Sequence, residues 1–146
     1  MKEEIIETLV KSGILRKRKI DSERIKSMIK SSETNAKVAK NISLDENSAT
    51  LIFRELYESI RQLGDAKWWL ESYEPSNHEI SIGILKEIDI KEKLKLNFLE
   101  RFKKIRNDAN YRGFRVTTAQ AKEIIDFWDK CGVEIVKILL EELKKK

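Results

Sequence analysis

One cysteine, one histidine, one proline and five glycines in 146 residues leave little room for several kinds of protein. The single cysteine, Cys131, has no partner for a disulfide within the chain. It lies among Trp128, Val133 and Ile135, which predicts buried packing rather than reactivity. A lone Cys with a lone His, His78, cannot build the common zinc clusters, and no Glu-x-x-His pair offers a carboxylate metal site. A Ser-His-Asp triad would have to recruit His78, which nothing nearby orients. So little glycine and proline argues against a turn-rich β protein, and no Gly-rich loop is available to cradle phosphate. No apolar run approaches the roughly 20 residues that span a bilayer. The start, Met1-Lys2-Glu3-Glu4, is charged and lacks the apolar stretch of a signal peptide. The expectation is a soluble cytoplasmic protein that uses neither metal nor cofactor.

What the chain does have is charge and aliphatic carbon. Charged residues make up 38% of it and hydrophobic residues 40%, enough for one domain with a sizeable core. With Lys, Glu, Ile and Leu dominating, the fold class expected is an all-α, up-and-down helical bundle. It would occupy residues 1–146 as a single domain, with 1–20 as an N-terminal extension. The 30 basic residues exceed the 25 acidic ones by five. That surplus permits binding to a polyanion without demanding it.

Apolar spacing predicts a short helix over 2–12, with Ile5, Ile6, Leu9 and Val10 as its stripe and Gly13 ending it. The run Arg16-Lys17-Arg18-Lys19 then reads either as a solvated connector or as a phosphate-contacting patch. Asp21 or Ser22 can cap a helix over 22–41 that carries Ile25, Met28, Ile29, Ala36, Val38 and Ala39. Ser43 or Asp45 can cap a longer one over 45–72. Its stripe of Ala49, Ile52, Phe53, Leu56, Ile60 and Leu63 is widened by Leu51 and Tyr57, as suits a central helix. Glu58 and Arg61 interrupt that stripe at i,i+3 and are expected to pair within the bundle. After the break at Pro75, Ser76 and Glu79 read as a capping box for a short helix to Glu87. That box gives His78 a capping or packing role. Further helices are expected over 91–112 and 118–144, the latter opened by a capping box of Thr117 and Gln120.

The segment Arg106-Asn107-Asp108-Ala109-Asn110-Tyr111 carries the most chemistry. A cation, amides, a carboxylate and a phenol fall within two turns, with Asn107 and Tyr111 on one face and Arg106 and Asn110 on another. An ordinary polar helix end, C-capped by Gly113, is the alternative reading.

The order of elements resembles the HEPN superfamily (higher eukaryotes and prokaryotes nucleotide-binding domain), in particular its small stand-alone prokaryotic and archaeal members. The resemblance covers about residues 20–143. It rests on the helix holding Phe53-Arg54-Glu55-Leu56-Tyr57-Glu58-Ser59-Ile60-Arg61, the loop Asn77-His78-Glu79, the helix ending Arg106-Asn107, and the long closing helix. It implies an up-and-down bundle that forms a homodimer. It also implies metal-independent RNA cleavage by an Arg-x4–6-His motif, often within a toxin–antitoxin pair whose antitoxin has a nucleotidyltransferase fold. Other members of the family are non-catalytic binding or scaffold modules. By position, Arg106 matches the motif arginine and Asn107 the polar residue that follows it. The motif histidine would fall at Tyr111, Arg112 or Gly113, and Tyr111 stands at the x4 spacing. A phenol is a poor base beside an imidazole at neutral pH but can donate a hydrogen bond or a proton. The expected site is therefore Arg106, Asn107 and Tyr111, engaging RNA or a nucleotide, with a scaffold role as the rival.

Overall fold

The computed structural model describes residues 1–146. Helix α1 (Glu3–Lys11) ends where Gly13 turns to a φ of 80°, a left-handed conformation that costs glycine little. The chain then forms a strand, β1 (Leu15–Lys17), antiparallel to β2 (Tyr73–Pro75). Leu15 faces Pro75, Arg16 faces Glu74, and Lys17 faces Tyr73. The basic run thus begins as half of a two-stranded ribbon, a departure from an all-helical chain. Arg18 continues the pairing by donating to Glu74 through Nε and Nη2. Leu15 is fully buried with Trp68 and Ile84, and Ile6, Leu9 and Val10 of α1 pack on that small cluster.

Helix α2 (Ser22–Lys40) starts at Asp21, whose carboxylate accepts from the Arg24 N–H. Helix α3 (Ala49–Leu70) begins later than expected. Asp45 spends its carboxylate on the N–H groups of Asn47 and Ser48 and so shapes the preceding turn. Helix α4 (His78–Gly83) is capped by Asn77, which accepts from Ile80. The expected Ser76 cap does not form, because the Ser76 hydroxyl donates across to the carbonyls of Gly13 and Ile14. A 3-10 turn over Ile84–Glu87 follows, and a second, Lys93–Asn97, precedes α5 (Phe98–Arg112). The long closing helix is broken in two. Helix α6 (Thr118–Phe127), opened by the Thr117/Gln120 capping box, passes through a π-helical turn at Trp128–Gly132 into α7 (Val133–Lys144). Cys131 is buried in that turn, and burial pushes its thiol up to about 11, consistent with packing rather than reactivity.

The bundle is organised on α3. Fourteen of its 22 residues are buried, and α2, α4, α5, α6 and α7 all lie against it. Phe53, Phe102 and Phe127 meet edge-to-face at the centre, with ring centroids 5.4–6.0 Å apart in successive pairs. Three residues expected in apolar stripes face outward instead: Ile5, Val38 and Leu51.

Two contacts fix α4 on α3. Gly64 lies so close to the α4 backbone that a Cβ there would sit far inside van der Waals contact with the Ser81 carbonyl oxygen. Beside it, Arg61 donates to Glu58, as the spacing predicted, and also to Asp65 at 2.6 Å, while the Ser81 hydroxyl donates to Asp65. The side chains of Arg61 and Asp65 are each only 16% exposed, whereas Glu58 keeps its outer edge in solvent. Burial raises the Asp65 carboxyl above its ordinary value, against the pull of Ser81, Arg61 and His78.

Gly64→Ala should lower unfolding free energy by about 2–3 kcal/mol, since the obstacle is backbone that cannot rotate away. The midpoint of urea denaturation measures this. Arg61→Met should cost about 3 kcal/mol by leaving Asp65 buried without its cation. Adding Asp65→Leu to Arg61→Met should recover at least half of that loss. A double variant as unstable as the single one would show that packing, not the unpaired carboxylate, sets the cost.

Candidate functional site

The apolar side of α5 is spoken for by Leu99, Phe102 and Ala109, which face the core. That fixes the rotation of the helix and sends Arg106 toward the outer flank of α3. The Arg106 guanidinium lies 5.7 Å from the ring centroid of Tyr57 and 6.0 Å from that of Tyr111, within cation–π range of both. Its Nη1 also donates to Asn107 Oδ1 at 3.4 Å. The three residues singled out in the sequence are therefore gathered around one guanidinium. Asn107 holds it from the same helix, and Tyr111 extends outward, 77% exposed.

Arg54, one turn before Tyr57 and Glu58 on α3, reaches across to α5. Its Nε donates to Asn110 Oδ1 at 2.7 Å. Arg54, Glu55, Tyr57, Glu58, Arg106 and Asn110 line an open groove of about 520 Å³ between the two helices. Arg106 and Asn110 share this groove, as their helical spacing implied. The contributions of Arg54 and Tyr57 were not assigned from sequence. Arg54 stood inside a quoted motif without a role, and Tyr57 read as core, which by burial it is. What joins them to α5 is a tertiary contact across many intervening residues, and no local spacing announces it.

The groove holds two guanidiniums, Arg54 and Arg106, against the carboxylates of Glu55 and Glu58. Glu58 is engaged by Arg61, while Glu55 remains in the groove lining beside the two guanidiniums. Burial pushes the Tyr57 phenol up to about 12, outweighing the opposing pull of Arg106 and Arg61. Tyr57 is thus a neutral ring beneath Arg106 across the physiological range, not a base. His78 does not line the groove. It is exposed as the first residue of α4, on the side where its charge is felt by Asp65.

The end of α5 is held firmly. Gly113 adopts a φ of 69° and closes the helix with a left-handed C-cap. The Phe114 N–H then reaches the Asp108 carbonyl at 3.3 Å, and Arg115 Nη2 reaches the Asn47 carbonyl at 2.9 Å. The Val116 N–H donates to Thr50 Oγ1 at 3.0 Å. This stretch is tied to the start of α3, while the Phe114 ring remains 59% exposed.

Tyr57 has a pH signature. Its folded-state value, about 12, lies above the ordinary 10, so its proton is held more tightly in the folded chain. The resulting stability is present below pH 10 and is lost as pH rises from 10 to 12. The melting temperature should fall across that window, and the Tyr57→Phe variant should fall less steeply. Equal slopes for the two proteins would mean that the phenol is not protected by burial.

No protein-family model, no curated protein and no solved structure matches this chain.

Proposed function

We propose that the chain is a HEPN-like protein that engages RNA or a nucleotide through the α3–α5 groove and cleaves RNA without a metal ion. The observation that carries this reading is the Arg106 guanidinium. It is held between the rings of Tyr57 and Tyr111 and braced by Asn107, with the second guanidinium of Arg54 in the same open groove. A planar fork fixed in this way suits phosphate, because its donors match phosphate oxygens without first having to be ordered.

In the reaction proposed, the ribose 2′-hydroxyl attacks the adjacent phosphorus and the 5′-oxygen of the next nucleotide departs. Negative charge builds on the non-bridging oxygens during attack, and Arg106 offsets it. The 2′-hydroxyl proton passes to water as the 2′,3′-cyclic phosphate forms, and the Tyr111 phenol, exposed and next to Arg106, donates a proton to the leaving oxygen and regains one from solvent. Asn107 positions Arg106. The protein works as a homodimer that brings two such grooves together, in a toxin–antitoxin pair with a nucleotidyltransferase-fold partner.

A second reading has its own support. No imidazole lines the groove, and the residue at the family's histidine position is Tyr111. On that reading the chain is a non-catalytic dimeric scaffold, and the same residues hold a nucleotide or a protein partner.

An RNA cleavage assay in chelator separates the two. Wild type should cleave, Arg106→Ala should be slower by about a hundredfold, and Tyr111→Phe should be slowed by less. Tyr111→His places an imidazole at the x4 position and should raise the rate. RNA binding without cleavage selects the scaffold reading. If none of the three substitutions changes cleavage or binding, the groove is not the site.

A further inference from the structure

Two large aromatic side chains are left in solvent at the end of α5, Tyr111 and Phe114, 77% and 59% exposed. They flank the left-handed turn at Gly113. Rings of this size are usually buried, so two together on a surface mark a place where something lands. The backbone under them is fixed by the bonds of Phe114 to Asp108, Arg115 to Asn47 and Val116 to Thr50. The rings are thus presented on a rigid base, and little order has to be imposed when a ligand arrives. The segment that carries them is basic, while Glu55 and Glu58 line the neighbouring groove. Residues 106–115 hold Arg106, Arg112 and Arg115 against one acid, Asp108, and Arg54 reaches in from α3. Arg106 lies 6.0 Å from the Tyr111 ring, so that ring adjoins a groove-lining guanidinium, with Phe114 three residues further along the chain.

Exposed aromatics interleaved with guanidiniums bind unpaired nucleotides, because each base offers a π-face and each linkage an anion. A duplex hides its base faces within the stack. We infer that Tyr111 and Phe114 form a base-stacking platform that holds an unpaired nucleotide beside the Arg54–Arg106 groove, so that the ligand is single-stranded RNA. This rests on the RNA reading above and gives Tyr111 a stacking surface in addition to its hydroxyl.

The test uses fluorescence anisotropy with two labelled octamers. One is 2′-O-methyladenosine, which has bases but no nucleophilic hydroxyl, so binding is read without cleavage. The other is an abasic sugar-phosphate strand of equal length and charge. Phe114→Ala and Tyr111→Ala should each weaken the adenosine octamer about tenfold. Phe114→Ala should leave the abasic strand unchanged, and Phe114→Trp should restore wild-type binding. Arg106→Ala should weaken both strands. Equal weakening of the two strands by Phe114→Ala, or weakening of neither, overturns the platform while Arg106→Ala still reports on the groove. Sedimentation of Phe114→Ala as a smaller species than wild type would assign the rings to a protein interface, and this too overturns it. A wild-type protein that binds neither strand removes the RNA reading and the platform with it.

Discussion

Five of the six other α-helices pack on α3, and that helix has little surface to spare. With fourteen of its 22 residues buried, most of its charged side chains lie in the narrow sector the other helices leave open. Arg54, Glu58, Arg61 and Asp65 follow one another at steps of four, three and four residues, which confines them to roughly 60° of arc at 3.6 residues per turn. Toward the C-terminal end the strip is covered by α4 and becomes the Arg61–Asp65–Ser81 network. Toward the N-terminal end it stays open and becomes one wall of the groove. Structural ion pairing and candidate chemistry are two ends of the same stripe.

The other wall depends on the rotation of α5. The aromatic contacts among Phe53, Phe102 and Phe127 hold that helix so that Arg106 and Asn110 reach the flank of α3. Tyr57 belongs to both worlds. Its ring is core, and its outer face supports a guanidinium. A site assembled in this way needs no loop closure to bring its cations together, because the packing that stabilises the fold has already placed them.

Much of this was legible in the chain, for reasons that differ from element to element. The Asp21 cap, the Thr117/Gln120 box and the Gly113 terminus depend on groups within four residues of each other, so a local reading finds them. Ser76 carried the same local signal and was misleading, because the carbonyls of Gly13 and Ile14, brought near by the ribbon, take its hydroxyl. The ribbon itself was hidden. Leu15-Arg16-Lys17 is too short to alternate, and its single apolar residue finds Trp68 only in three dimensions. The break between α6 and α7 was equally silent. A π-helical turn adds one residue to a pattern that still reads as continuous helix, and Gly132, whose Cβ would strike the Trp128 ring, is its one local mark. At the site, the spacing of Arg106, Asn107, Asn110 and Tyr111 was readable because it lies on one helix. Arg54 and Tyr57 were not, because their part in it exists only where α3 meets α5.

The pairing of Leu15–Lys17 with Tyr73–Pro75 also bears on the order in which the molecule assembles. It closes a loop that contains the whole of α2 and α3, and the entropy of closing so long a loop is recovered only once those helices are formed and docked. The α2–α3 hairpin, built from neighbours in sequence, is the natural first unit, and the ribbon with α1 is a late addition. Helix α1 has no fully buried residue and joins the rest through a small separate cluster. Its amides belong to the part of the molecule that opens first, before the α3 core is disturbed.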